Sequence, residues 1–240
     1  MSIQSFLYRR LSRWITCELN LPLKCKISLE NKYELASFND VFCHPFYWQL
    51  FQCIEQTPGL IIDCGAHCGH FTILAETCIY TKFKDLNTNY ILVEPNPLLI
   101  PIIHKNLHKT NILKRANIKQ GFVGRKSGSS TLWVNKKNYL TASIKYIPNA
   151  KPYTVNYIDL LEVVGDRIVD LMKIDIEGGE FEFIPENLKL FSQTNLVFIE
   201  IHSATEEMTQ NLYRYLESVG LHIASKPLKN DDHYLVIFQR

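Results

Sequence analysis

From residue 60 onward, short apolar-rich runs alternate with longer stretches of mixed polarity, and this alternation constrains the fold more than any other feature. The runs cover residues 60–64, 90–94, 117–122, 169–174 and 196–201. Their largely apolar character, weakest at 117–122, suits strands covered on both faces. Residues 71–80, 97–108 and 206–219 fit as helices between them; the second carries Pro97 near its first turn, and the third repeats Met208, Leu212, Tyr215, Leu216 and Val219 near helical spacing. Gly220 stops that helix. A short run at 221–224, turn residues at 229–232 and a last run at 234–238 read as a closing hairpin. The pattern is that of βαβ units on a mostly parallel, doubly wound sheet, an α/β fold.

At 240 residues and 46% hydrophobic content, the chain can bury one substantial core. The expected organisation is an N-terminal helical and extended segment, 1–55, packed on a domain at 56–240. An insertion of short strands and loops at about 124–157 would leave the carboxyl end of a strand and cover a substrate. Lys and Arg total 26 against 24 Asp and Glu, so no global field argues for a nucleic-acid partner, and none is expected. Seven cysteines, an odd set confined to positions 17–78, do not read as a disulfide framework. Residues 1–14 lack the features of a signal peptide, and no run reaches the roughly 18 apolar residues of a membrane span, so a cytoplasmic setting is expected. Ile3, Leu7, Leu11 and Trp14 share one helical face beside Arg9, Arg10 and Arg13. Docking on the domain is the simpler reading of that helix, and a membrane-surface or partner contact is the alternative.

Three strand ends carry the chemistry. The first is Leu60-Ile-Ile-Asp63-Cys64-Gly65-Ala66-His67-Cys68-Gly69-His70, a buried strand ending in an acid before a glycine turn and a helix. Gly65 can take a backbone conformation closed to other residues, and the loop amides with the helix start can hold a carboxylate. Asp63 would anchor the loop or a ligand's amino group. A dinucleotide fingerprint needs a third loop residue that is glycine, and His67 stands there, which disfavours NAD. The second end is Glu94-Pro95-Asn96-Pro97, where an acid can accept both ribose hydroxyls of a nucleoside. The third is Lys173-Ile-Asp175-Ile-Glu177-Gly-Gly-Glu180. Period two puts Lys173, Asp175 and Glu177 on one side of an extended backbone, implying either a pocket or an ion-pair network.

These three motifs, with Asp159 before the third strand end and Glu200-Ile-His202 after it, resemble the FkbM family of methyltransferases over about residues 36 to 202. The resemblance implies a class I, Rossmann-like methyltransferase fold with a seven-stranded sheet and a C-terminal antiparallel hairpin. It also implies S-adenosyl-L-methionine as cofactor, and O-methylation of a hydroxyl on a sugar, polyketide or other small molecule or glycan. Carried over by position, Asp63, Gly65 and Gly69 with Ala66 and His67 would hold the methionine portion. Glu94, Pro95 and Asn96 would hold the ribose, Phe122 and Val123 the adenine, and Asp175 would lie beside the methyl donor. The loop departs from the family's Asp-Val-Gly-Ala-Asn-x-Gly pattern at Cys64 and His67.

Methyl transfer from a sulfonium needs alignment and removal of one proton. His202, with a near-neutral intrinsic pKa, is the expected base; Asp175 and Glu177 are the carboxylate alternatives, and Lys173 either neutralises charge or pairs at the strand end. Cys64, His67, Cys68 and His70 match no structural zinc spacing. Asp175, Glu177 and Glu200 are an oxygen-rich set suited to magnesium, yet nothing in the sequence demands an ion, and no metal is expected. The rival readings are a non-catalytic adenosyl-ligand binder or scaffold of the same fold, and an NAD-dependent oxidoreductase.

Overall fold

A computed structural model describes residues 17–22, 26–30, 32–124, 127–135, 138, 142–202, 204–229 and 233–240. The amphipathic helix expected within residues 1–14 lies outside the described residues. The chain opens with an antiparallel pair, β1 (Cys17–Asn20) and β2 (Lys26–Leu29), then helices α1 (Lys32–Phe42) and α2 (Pro45–Gln52). The sheet-forming part follows: β3 (Leu60–Cys64), α3 (His70–Phe83), β4 (Asn89–Glu94), α4 (Ile100–Lys109) and β5 (Ala116–Gln120). Strands β6 (Ser129–Val134), β7 (Ala142–Ser143) and β8 (Lys151–Asn156) form a separate three-stranded antiparallel sheet, ordered β7-β6-β8. The rest is α5 (Leu160–Val164), β9 (Val169–Ile174), α6 (Glu180–Glu186), α7 (Leu188–Ser192), β10 (Thr194–His202), α8 (Glu206–Ser218), β11 (His222–Ile223), β12 (Leu228–Lys229) and β13 (His233–Gln239).

The main sheet runs β11-β13-β10-β9-β3-β4-β5, with β12 also paired to β13. Strands β10, β9, β3, β4 and β5 are parallel, and β13 lies antiparallel between β10 and β11, which is the expected hairpin. Strand order reverses between β3, whose next strand lies on one side, and β9 on the other. A cleft therefore opens at the carboxyl ends of these two strands, where an open α/β sheet takes its ligands.

Side-chain alternation explains the two-layer packing. Ile61 and Leu92 face one core with Ile27, Leu29, Phe46, Tyr47, Leu50 and Phe71, whereas Leu60, Ile62 and Val93 face the other with Leu160, Phe183, Phe191 and Leu216. The N-terminal elements thus close one face of the sheet. Phe46 and Tyr47 are buried there, while Trp48 is exposed and donates from Nε1 to the Phe42 carbonyl. Two expectations shift. The helix expected from Pro97 begins at Ile100, because residues 96–99 form a turn in which the Asn96 side chain accepts from the Leu98 amide; Pro101 occupies the first helical turn instead. The third strand ends at Gln120, and Phe122 forms an isolated bridge to Tyr157 at the base of the inserted sheet.

Candidate active site

A cavity of about 1000 Å³ lies over the carboxyl ends of β3, β4 and β9. Its floor is the glycine loop after β3, held on both sides by neighbouring strands. The Gly65 and Ala66 amides donate to the Val93 carbonyl at 2.9 and 3.0 Å, and the Asp175 amide donates to the Cys64 carbonyl at 3.1 Å. Gly65 has φ +77°, and a Cβ on it would overlap the Asp175 carbonyl oxygen, so only glycine fits. Gly69, with φ +79°, caps the N-terminus of α3 without a side-chain bond, leaving the first helical amides directed at the loop.

Lys173 ties the floor together. Its ammonium, almost wholly buried, donates to the Gly65 carbonyl at 2.9 Å and lies 3.2 Å from Asp175 Oδ2 and 3.6 Å from Asp63 Oδ1. Burial alone would depress this lysine's pKa, but the Asp175 and Asp63 carboxylates outweigh it and hold it above the ordinary value. Strand-end ion pairing is therefore what Lys173 does. Asp63 is fully buried, accepts from Thr72 Oγ1 at 2.9 Å, and does not reach the cavity wall; neither does Gly69. Of the loop residues expected to touch a ligand, Gly65, Ala66 and His67 line the cavity, while Asp63 supports the loop from beneath through Lys173 and Thr72.

Glu94 faces the cleft with both oxygens engaged once. Oε2 accepts from the His67 amide and Oε1 from the Asn96 amide, each at 2.8 Å. Burial pushes its carboxyl up to about 7, against the lowering effect of those two amides. Pro95, Asn96, Phe122 and Val123 line the cavity alongside it.

Three further wall residues, Ser37, His70 and Tyr47, lie outside the expected cofactor and catalytic set. The Ser37 hydroxyl of α1 lies 2.9 Å from His67 Nδ1 and 3.0 Å from His70 Nδ1. Burial pushes the two imidazoles down to about 4 and about 3, so both are neutral, and one hydroxyl serves both rings by donating to one and accepting from the other. His70 lines the cavity, and its Nε2 has no hydrogen-bond partner among the described residues. Tyr47 is the third; its ring packs on Phe198 while the residue borders the cavity. A serine 30 residues before the loop offers no local pattern that would mark it.

At the opposite end, the register of β9 and β10 brings Glu200 level with Asp175. His202 Nε2 lies 3.5 Å from Glu200 Oε1 and 3.9 Å from both Asp175 Oδ1 and Glu177 Oε2, and Nδ1 faces Glu180 Oε1 at 3.3 Å. Burial would depress the ring, but the hydrogen bonds to Glu180 and Glu200 and the charges of Asp175 and Glu177 push it up to about 11. The surrounding carboxylates thus favour the protonated ring, and Nε2 offers a lone pair only after giving up that proton. Glu177 departs from the extended pattern too. The strand ends at Ile174, and Glu177 adopts φ +54° with its side chain largely in solvent at the cavity rim. Glu180, the last residue of the third motif, is fully buried and braces His202.

A doubly wound sheet with an antiparallel strand between its last two members, and a cleft at the strand-order reversal lined by Gly65, Glu94 and Asp175, define a class I, Rossmann-like methyltransferase fold. The methyltransferase FkbM domain profile matches residues 63–223, more than half the chain, and the protein belongs to the FkbM methyltransferase family. Solved structures agree in fold. Methyltransferase FkbM from Methylobacillus flagellatus KT superposes with a TM-score of 0.53 at 15% identity, covering 82% of this chain and 50% of that one. The METTL16 methyltransferase domain gives 0.51 at 14% identity, covering 97% and 77%. No curated protein matches by sequence. Among the described residues, no helix is long and apolar enough to cross a membrane.

Proposed function

We propose that the protein is an S-adenosyl-L-methionine-dependent O-methyltransferase acting on a hydroxyl of a small molecule or glycan. The observation that carries the cofactor half is Glu94. Each of its oxygens already accepts one backbone amide and keeps a lone pair for a ribose hydroxyl at the cleft wall. The uncapped amides at the start of α3 and the unpartnered His70 Nε2 suit the carboxylate and amino groups of a methionine moiety, and Phe122 and Val123 give an apolar flank for adenine.

Bound there, the cofactor supplies a methyl group on a sulfonium, electrophilic without further activation. The chain is left to hold an acceptor oxygen in line and to take its proton. In this reading Asp175 and Glu200 orient the acceptor from neighbouring strand ends, and Glu177, open to solvent at the rim, takes the hydroxyl proton and passes it to water. The inserted sheet β7-β6-β8 covers the acceptor side through Leu132, Ala142 and Ser143.

Donor carrying a carbon-13 methyl, incubated with a panel of polyols, glycans and amines, tests the acceptor class. New methyl resonances at O-methyl shifts support the reading; label transferred only to nitrogen contradicts it.

A further inference from the structure

We propose that Asp175, Glu200 and His202 form a divalent-cation site of the magnesium or manganese type, which holds an acceptor oxygen at the far end of the cleft. The acceptor half of this statement rests on the methyltransferase reading above; the metal half does not. One ligand atom from each of the three residues lies within 4.8 Å of the others, and all three residues line the cavity. The facing pairs, Nε2 to Glu200 Oε1 at 3.5 Å and Nε2 to Asp175 Oδ1 at 3.9 Å, exceed the roughly 3 Å between adjacent ligands of an octahedral ion with ~2.1 Å bonds. Side-chain rotations of under about 1 Å close that gap. A cation bound there would take the place of the Nε2 proton, leaving His202 neutral with its Nδ1–H on Glu180.

A second observation, below the three ligands, points the same way. Glu180 is fully buried, places Oε1 3.3 Å from His202 Nδ1, and leaves Oε2 without a hydrogen-bond partner among the described residues. A carboxylate on the far nitrogen is the arrangement that fixes a metal-binding histidine, because it sets the tautomer and turns Nε2 toward the ion. It also adds a buried negative charge. Asp175, Glu177, Glu180 and Glu200 all approach one imidazole, while Lys173 is divided between Asp175 and Asp63. His233 also approaches Glu200 Oε1, at 3.5 Å, yet the four carboxylates outnumber the cations beside them, and a partly buried excess of that kind favours binding a cation. Mixed oxygen and imidazole donors favour manganese as the probe.

The experiment is a titration of Mn²⁺ into the full chain after chelator treatment, followed by loss of the free-ion electron paramagnetic resonance signal. S-adenosylhomocysteine binding is measured by calorimetry on the same samples. One saturable site is expected, with affinity reduced at least ~10-fold in Glu200→Gln and roughly 10-fold or more in Glu180→Gln, while Glu200→Gln keeps its homocysteine-nucleoside binding and cooperative melting. Absence of a saturable site in the folded wild type, or equal Mn²⁺ affinity in Glu200→Gln, overturns the proposal. Failure to bind the nucleoside with Mn²⁺ binding intact removes only the methyltransferase reading and leaves the metal site supported.

Discussion

The Lys173 ammonium donates to the Gly65 carbonyl oxygen at 2.9 Å, joining two strand-end motifs separated by 108 residues. The same ammonium balances Asp63 beneath and Asp175 beside the cleft. Replacing it by an apolar chain of similar length, Lys173→Met, leaves a fully buried Asp63 unpaired and is expected to cost ~3–5 kcal/mol of stability. Urea denaturation monitored by circular dichroism checks this; a loss below about 1 kcal/mol contradicts the anchoring role.

The two loop glycines are not equivalent. Both have positive φ, yet a Cβ on Gly65 overlaps the Asp175 carbonyl whereas one on Gly69 meets Ile103 Cγ2 at an ordinary 3.6 Å. Gly69→Ala is therefore expected to cost only the backbone strain, about 1–2 kcal/mol, and to retain nucleoside binding. Gly65→Ala forces β3 and β9 apart and is expected to abolish binding. Thermal melts and calorimetry on the two variants give the comparison, and equal effects would remove the steric argument.

Glu94 makes binding pH-dependent. Its folded carboxyl is raised from 4.5 to about 7, so the unliganded protein holds this proton more tightly than the unfolded chain does. The group's contribution to stability is thus fully present below about 4.5 and is lost as pH rises through about 7. Ligand binding runs the opposite way, because ribose hydroxyls donate to the carboxylate form. S-adenosylhomocysteine affinity is expected to fall by up to ~10-fold per unit as pH drops below about 7. In Glu94→Gln the dependence flattens; a wild-type affinity unchanged between about pH 6 and 8 argues against contact with Glu94.

Ser37 serves two buried rings at once, at 2.9 and 3.0 Å. Ser37→Ala leaves a nitrogen of each without its partner, an expected cost of ~1–3 kcal/mol. It also frees His67, whose amide positions Glu94. Denaturation midpoints and calorimetry are expected to fall together; unchanged values for both would show that the hydroxyl contributes nothing.

Much of the sheet was legible because each strand carries its own signal. The apolar runs at 60–64 and 169–174 coincide with β3 and β9, and the last run became β13. Glu94 and Gly65 were legible for the same local reason, since one ends a strand and the other follows directly on one. What escaped were groups defined by elements distant in sequence. The hold of Lys173 on Asp63, and the gathering of Asp175, Glu177, Glu180 and Glu200 around His202, join residues that no local pattern links. Intrinsic pKa is a property of the isolated side chain, whereas the shift on His202 comes from the register of β9 against β10 and the turn into α6.

Isothermal titration calorimetry of S-adenosylhomocysteine against the wild-type chain and Glu94→Ala at about pH 8 tests the central claim most directly. Binding at a single site in the wild type, lost in a Glu94→Ala protein that melts cooperatively, is the predicted result. No heat and no thermal shift with the wild type at millimolar ligand would contradict the account.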